Sequence, residues 1–283
     1  MSNFQSLKTE FINVLSNSYE ERECIAFFNL LLLHQKGWDR IKYVLSKDEC
    51  ADEETVLFFK KCVKDLIKGR PVQHIIGKVF FYNIELQVNK HVLIPRPETE
   101  ELVDLIFHEN KHKEALKVLD VGSGSGCIAL ALKESMPSSI CEGVDVSKEA
   151  VELAEKNAIN LGLDADFSCV DIFHFQPKIS HYDILVSNPP YIPFKDKSSM
   201  DINVLEFEPD TALFVNDDNP LIFYERIAFL GVKLLKANGK IYFEIHEKFA
   251  NQIVHLLEKY NYENPLIVKD LQGRDRFIAA TLK

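Results

Sequence analysis

From Lys117 to the end of the chain, short aliphatic runs alternate with stretches whose apolar residues recur at helical spacing. That alternation constrains the fold more than any other feature. Strands separated by crossover helices build a parallel sheet covered on both faces. The predicted strands are Lys117–Val121, Ile140–Val144, Ala165–Val170, Asp183–Ser187, Lys240–Ile245, Pro265–Lys269 and Arg276–Thr281. The predicted helices between them are Cys127–Ser135, Lys148–Leu161, Pro220–Leu235 and Glu247–Tyr260. Only Asp270 to Asp275 separate the last two strands, too few residues for a crossover helix. Those strands are expected to form an antiparallel hairpin at one end of the sheet.

Upstream the period is different. Phe4, Leu7, Phe11 and Leu15 recur at helical spacing, as do Phe59, Val63, Leu66 and Ile67. Gly69-Arg70-Pro71 interrupts this pattern. In the next stretch Tyr82, Ile84, Leu86 and Val88 alternate with polar residues, the signature of a half-buried strand. Ile94-Pro95-Arg96-Pro97 ends that region, and a helix is predicted to start near Thr99. The 283 residues therefore divide into a small all-helical domain (1–70), a β-hairpin linker (71–95) and an α/β domain (96–283).

Composition narrows the function classes. Hydrophobic residues make up 46% of the chain, ordinary for a globular protein. The net charge of −10 argues against a protein that tracks a phosphate backbone, which needs a basic footprint. A protein or small-molecule substrate is favoured, with no direct nucleic-acid partner expected. The six cysteines form no C-x-x-C pair, so reduced core thiols are expected and neither zinc nor another metal. Met1-Ser2-Asn3-Phe4-Gln5 lacks the basic and apolar regions of a signal peptide. Ile25 to Leu33, the most apolar stretch, is too short to span a bilayer. A cytoplasmic protein without membrane association is expected.

Val118-Leu119-Asp120-Val121 runs into Gly122-Ser123-Gly124-Ser125-Gly126, a glycine-rich turn between strand and helix. Such turns let the backbone approach a ligand closely. The spacing is neither that of dinucleotide enzymes nor that of a phosphate loop. The next strand ends at Asp145, 19 residues beyond Gly126, where a carboxylate can accept both hydroxyls of a ribose. Ser147 can instead serve as cap of the following helix. At the end of the third strand, Asp171 could accept from an adenine amino group and Ile172 could pack on its ring. These stretches, in this order, resemble the class I S-adenosylmethionine methyltransferases, whose seven-stranded, Rossmann-like sheet ends in a reversed hairpin. The resemblance implies that Gly122–Gly126 cradle the methionine part of S-adenosyl-L-methionine and that Asp145 binds its ribose. Asp120 would orient the loop or the cofactor amino group.

Strand four ends in Ser187-Asn188-Pro189-Pro190-Tyr191. Two consecutive prolines cannot continue a sheet, but they present carbonyl oxygens without competing N–H donors. Asn188 adds a side-chain carbonyl, and Tyr191 a planar face. A turn of this kind accepts two hydrogen bonds from a planar NH₂ group and fixes it opposite an incoming methyl, so positioning and electrostatics carry the catalysis. Asn188, Pro189, Pro190 and Tyr191 are the expected catalytic and substrate-binding residues, with Asn188 also touching the cofactor. The nine histidines are scattered; His174 and His181, near this turn, read as exposed loop residues.

The block Gly69-Arg70-Pro71-Val72-Gln73-His74-Ile75-Ile76-Gly77, with Leu93-Ile94-Pro95-Arg96-Pro97-Glu98-Thr99-Glu100, resembles the signature of the release factor glutamine methyltransferases (PrmC/HemK). Glu206-Phe207-Glu208-Pro209-Asp210-Thr211-Ala212-Leu213 and Gly273-Arg274-Asp275-Arg276 extend the resemblance over nearly the whole chain. It implies methylation of the glutamine side-chain amide in the Gly-Gly-Gln motif of class 1 peptide chain release factors. S-adenosyl-L-homocysteine would be the by-product and the helical domain would dock the factor; separately from the resemblance, a monomer is expected. Two segments depart from the family pattern. Phe214-Val215-Asn216-Asp217-Asp218 stands where glycines are common, and His246 replaces the glycine of Glu-Ile-Gly. Both put local loop shape in question more than activity. The acceptor turn alone leaves open an amino methyltransferase acting on adenine or guanine in DNA or RNA. A binding scaffold without chemistry would have been expected to lose part of the turn or the glycine loop, and neither is lost.

Overall fold

In the computed structural model, which describes residues 3–176, 182–200 and 202–283, the chain forms two units. One comprises Met1–Gly77 with Asp201–Phe207, the other Lys78–Met200 with Glu208–Lys283. His181 lies outside the described residues. Among the described residues no helix is long and apolar enough to cross a membrane.

The first unit holds α1 (Phe4–Leu15), α2 (Glu21–Lys36), α3 (Arg40–Ser46), α4 (Glu53–Ile67) and α5 (Val72–Ile76). Asn3, Asp39 and Asp52 cap α1, α3 and α4 by accepting from the first-turn amides of Ser6, Lys42 and Thr55. Phe4, Leu7, Phe11 and Leu15 are all buried, as their spacing predicts. Phe11 meets Phe28 edge to face at 5.6 Å and Phe59 at 5.7 Å, so aromatic rings fill the centre of this unit. Ile67 departs from the predicted stripe and is 52% exposed at the C-terminal end of α4.

The second unit opens with a hairpin, β1 (Lys78–Phe81) and β2 (Ile84–Gln87). The strand expected over 82–88 is shorter because Tyr82, at φ +53°, forms the turn. Next come α6 (Pro97–Asn110), β3 (Lys117–Val121), α7 (Cys127–Ser135), β4 (Ile140–Asp145), α8 (Lys148–Leu161), β5 (Ala165–Cys169), β6 (Tyr182–Ser187) and β7 (Ile192–Pro193). After α9 (Ile202–Phe207), which belongs to the first unit, follow α10 (Asp210–Leu213), β8 (Phe214–Val215), α11 (Ile222–Leu234), β9 (Leu235–Glu244), α12 (Ala250–Lys259), β10 (Tyr262–Lys269) and β11 (Asp275–Leu282). Helix α6 starts at Pro97, two residues before the predicted start, because proline has no N–H to satisfy at the first helical position. Strand β9 begins at Leu235 rather than Lys240, with a register shift against β6 and Asn238 at φ +62°.

Seven strands form one sheet in the order β10-β11-β9-β6-β3-β4-β5. The pairs from β5 to β9 are parallel, while β11 runs antiparallel to both β9 and β10. The predicted terminal hairpin is thus present, with its second strand inserted next to β9. Side chains of β3 alternate between two cores: Val118 packs with Leu102, Ile106 and Leu130, and Leu119 with Tyr224, Ile227 and Ile253. The strand order reverses between β3 and β6, and ligands of open α/β sheets bind outside the carboxyl ends of strands at such a point.

Candidate functional site

The glycine loop leaves β3 at this reversal. The amides of Gly122 and Ser123 both donate to Val144 O, at 2.8 and 3.1 Å, tying the loop to the end of β4. Gly126, at φ +80°, turns the chain into α7, and a methyl group there would lie 2.9 Å from the Phe167 ring. A side chain there would strain the left-handed backbone and force its neighbours to shift. Asn157 of α8, fully buried, donates to Ser125 O at 3.0 Å and exchanges hydrogen bonds with the Gln87 backbone. It pins the loop to β2, and an asparagine on the buried face of an amphipathic helix was the signal that could have revealed it.

Asp145 accepts from Gly124 N through Oδ2 at 2.9 Å and from Ser147 N through Oδ1 at 2.9 Å. Ser147 itself caps α8 by accepting from Ala150 N. Asp145 therefore holds the glycine loop, with lone pairs left over. Asp120 is fully buried behind the loop, and its Oδ2 accepts from Ala129 N at 3.3 Å. Burial, with the nearby Asp145 charge, pushes its carboxyl up to about 7. Among the described residues, Asp120 Oδ1 and Ser123 Oγ are buried without a hydrogen-bond partner. Asp171 accepts from Phe173 N at 2.8 Å and pairs with His174 Nδ1 at 2.6 Å; both interactions hold its carboxyl below the usual range. His174 is exposed, as expected for a loop residue.

A cavity of about 470 Å³ opens at the carboxyl ends of β3 to β6, within the usual span for small-ligand sites. Gly122–Ser125, Asp145, Asp171, Ile172, Asn188, Pro189 and Pro190 all line it, all from the second unit. Gly126 and Tyr191 do not. Gly126 acts from beneath as the cap of α7. The Tyr191 ring packs edge to face on His246 at 6.0 Å, and its hydroxyl donates to Glu244 Oε1 at 3.3 Å. His246 thus lies beside the acceptor turn, a proximity its sequence position did not suggest. Phe214 and Val215 pair with Ile192 and Pro193, and Phe214 stacks on Phe194 at 5.2 Å. This divergent segment therefore braces the chain just beyond the turn.

Asn188 sits at the end of β6, where Ser187 Oγ donates to Val121 O at 2.6 Å and ties the acceptor turn to the glycine-loop strand. Asn188 Nδ2 donates to Thr99 Oγ1 at 3.2 Å, and Thr99 Oγ1 donates to Glu244 Oε2 at 2.7 Å. Glu244 is 2% exposed, and burial raises its pKa. Arg96, also in the cavity wall, is held by Glu208 at 2.6 Å. Among the described residues no group of His, Cys, Asp or Glu is arranged to hold a metal.

A seven-stranded sheet with a reversed terminal strand and a glycine-loop cavity at the strand ends define a class I methyltransferase fold. Comparison with known proteins agrees. Residues 101–206 match the "Methyltransferase small domain" family and residues 7–77 the "PrmC N-terminal domain". A solved methyltransferase from Pyrococcus furiosus superposes with a TM-score of 0.51 at 16% identity, over 71% of this chain and 89% of that one. The release factor glutamine methyltransferase of Flavobacterium psychrophilum is 38% identical over 99% of both chains. That of Streptococcus pneumoniae is 40% identical over 96% of both. The chain belongs to the release factor glutamine methyltransferase family.

Proposed function

We propose that this protein methylates the side-chain amide nitrogen of the glutamine in the Gly-Gly-Gln motif of class 1 peptide chain release factors, with S-adenosyl-L-methionine as donor. The observation that carries the reading is that one cavity is lined both by the glycine loop and by Asn188-Pro189-Pro190. A methyl donor and a planar nitrogen acceptor can then meet without crossing solvent. The donor fits the loop side chemically: it carries a cationic amino group and a ribose, and the wall offers Ser123 and Asp145, with the partner-free Asp120 Oδ1 buried behind the loop. Gly122–Ser125 and Asp145 would hold it, with Asp171 and Ile172 at its adenine end.

When bound, S-adenosyl-L-methionine supplies a methyl group activated by a positively charged sulfur. The protein's own residues then have to orient a poor nucleophile, since an amide nitrogen shares its lone pair with its carbonyl. Asn188 Oδ1 and the Pro189 carbonyl accept the two amide hydrogens, which raises electron density on nitrogen and fixes its direction. Pro190 and the partly buried Tyr191 shape the turn, so Tyr191 supports the site from behind. We assign docking of the factor to the first unit, whose α3 leaves Ile41, Val44 and Leu45 exposed at 70%, 62% and 77%.

Incubation with methyl-labelled donor and either recombinant class 1 release factor or nucleic acid tests the reading. Label on the factor, lost when the Gly-Gly-Gln glutamine is replaced, is the expected result. Label on nucleic acid alone would overturn it.

A further inference from the structure

An asparagine side chain has nearly the same shape when its amide is turned over, yet only one orientation offers an oxygen to a substrate NH₂. Packing alone cannot choose between the two. Something must break the symmetry electrically.

We infer that Thr99 and Glu244 are positioning residues that lock the Asn188 amide with its carbonyl oxygen toward the cavity. The inference rests on the reading of Asn188 as the substrate-nitrogen acceptor. Glu244, at the end of β9, is 2% exposed and has two hydroxyl donors turned on it. Thr99 Oγ1 lies 2.7 Å from Oε2, the Tyr191 hydroxyl 3.3 Å from Oε1, and Arg276 adds a nearby positive charge. Both Glu244 oxygens accept, one from Thr99 and one from Tyr191, so the Thr99 hydroxyl spends its single hydrogen on Glu244. Thr99 Oγ1 then has only lone pairs left for Asn188, 3.2 Å away, and the group that meets it must be the NH₂. Asn188 Oδ1, at the other end of the planar amide, is thereby left free of Thr99.

The three residues come from α6, β9 and the turn after β6, so the chain of bonds crosses the sheet end. Its direction is set at the buried carboxylate and delivered at the cavity wall, which both Thr99 and Asn188 line. Reversed, Asn188 would present two N–H donors to an incoming NH₂ group, and the like-signed hydrogens would repel.

The test uses the full chain, labelled S-adenosyl-L-methionine and a recombinant class 1 release factor, with three variants. Thr99→Val keeps shape and removes the hydroxyl; Thr99→Ser keeps the hydroxyl; Glu244→Gln keeps shape and removes the charge. Thr99→Val and Glu244→Gln are expected to lower kcat about 10- to 100-fold, less than the loss of a whole transition-state hydrogen bond. The KM for the factor and the Kd for the donor should stay within about threefold of wild type, allowing for ordinary experimental scatter on an RT scale. Thr99→Ser should restore kcat. A second readout needs no substrate: the Asn188 side-chain NH₂ proton resonances, assigned by their loss in Asn188→Ala. They should shift in Thr99→Val and return in Thr99→Ser. Wild-type kcat in Thr99→Val, equal losses in the Val and Ser variants, or NH₂ resonances unmoved by Thr99→Val would each overturn the inference. If Thr99→Val fails to fold, Glu244→Gln carries the same two readouts. If the wild-type enzyme transfers no label to the factor, the functional reading fails, and the NH₂ resonances still decide the orientation.

Discussion

Arg96 Nη2 and Glu208 Oε1 lie 2.6 Å apart although 112 residues separate them in the chain. The other Glu208 oxygen accepts from Ile94 N at 3.1 Å, so one buried carboxylate fastens the Pro95-Arg96 wall of the cavity. The two motifs look unrelated in sequence and act as one clamp. Replacing Glu208 with Ala leaves a buried amide and a guanidinium without their acceptor. Glu208→Ala is expected to cost about 2–3 kcal/mol of stability, measured by urea denaturation, with Glu208→Gln costing less.

Asn188→Ala removes one of the two acceptors proposed for the substrate amide. Loss of a single hydrogen-bond partner in a transition state typically lowers kcat about 100- to 1000-fold. Because Asn188 is only partly buried, the variant should melt near the wild-type temperature. Near-native turnover on release factor would show that the nitrogen is held some other way.

Two glycines of the loop should respond differently to alanine. At Gly126 the new methyl meets Phe167 at 2.9 Å and Ala154 at 3.2 Å on a left-handed backbone. Overpacking and the left-handed conformation together should destabilise the fold by about 2–3 kcal/mol. At Gly124, φ +52°, nothing lies within 4 Å of the methyl, so only the backbone cost of about 1–2 kcal/mol applies. Gly124→Ala should therefore fold and show its main defect in donor affinity, read by isothermal titration.

The buried Asp120 makes stability depend on pH. Its folded-state pKa of about 7 lies above the ordinary 3.8, so the folded protein keeps a proton that the unfolded chain has released. Stability from this group is therefore greatest below about pH 4 and declines as pH rises toward 7, where the loss levels off. Asp120→Asn should remove that decline. Urea denaturation at pH 5 and pH 8 should show the wild type losing stability relative to Asp120→Asn at the higher pH; parallel behaviour of the two would contradict it.

Much of the fold was legible locally. The inner strands β3 and β6 were predicted close to their observed bounds because each is a short apolar run, and burial on both faces needs no distant information. The differences fall where a neighbour decides. Strand β9 extends back to Leu235 only because β6 offers a partner at Tyr182. Tyr82 leaves the alternating run because a two-residue turn closes the hairpin.

The site divides along the same line. Gly122–Ser125, Asp145, Asp171, Ile172 and Asn188–Pro190 were recognisable because each motif lies at one strand end and its chemistry is contained in consecutive residues. By itself the sequence determined a class I sheet, its glycine-rich loop and the Asn188–Tyr191 turn at the end of its fourth strand. It could not determine that Asp145 spends hydrogen bonds on the loop, that Tyr191 turns away to Glu244, or that Asn157, Thr99 and Glu208 belong to the same site. Those facts depend on hydrogen bonds between residues 21 to 145 positions apart. Which atom donates across such a gap is fixed only when folding brings a buried carboxylate within reach of a hydroxyl.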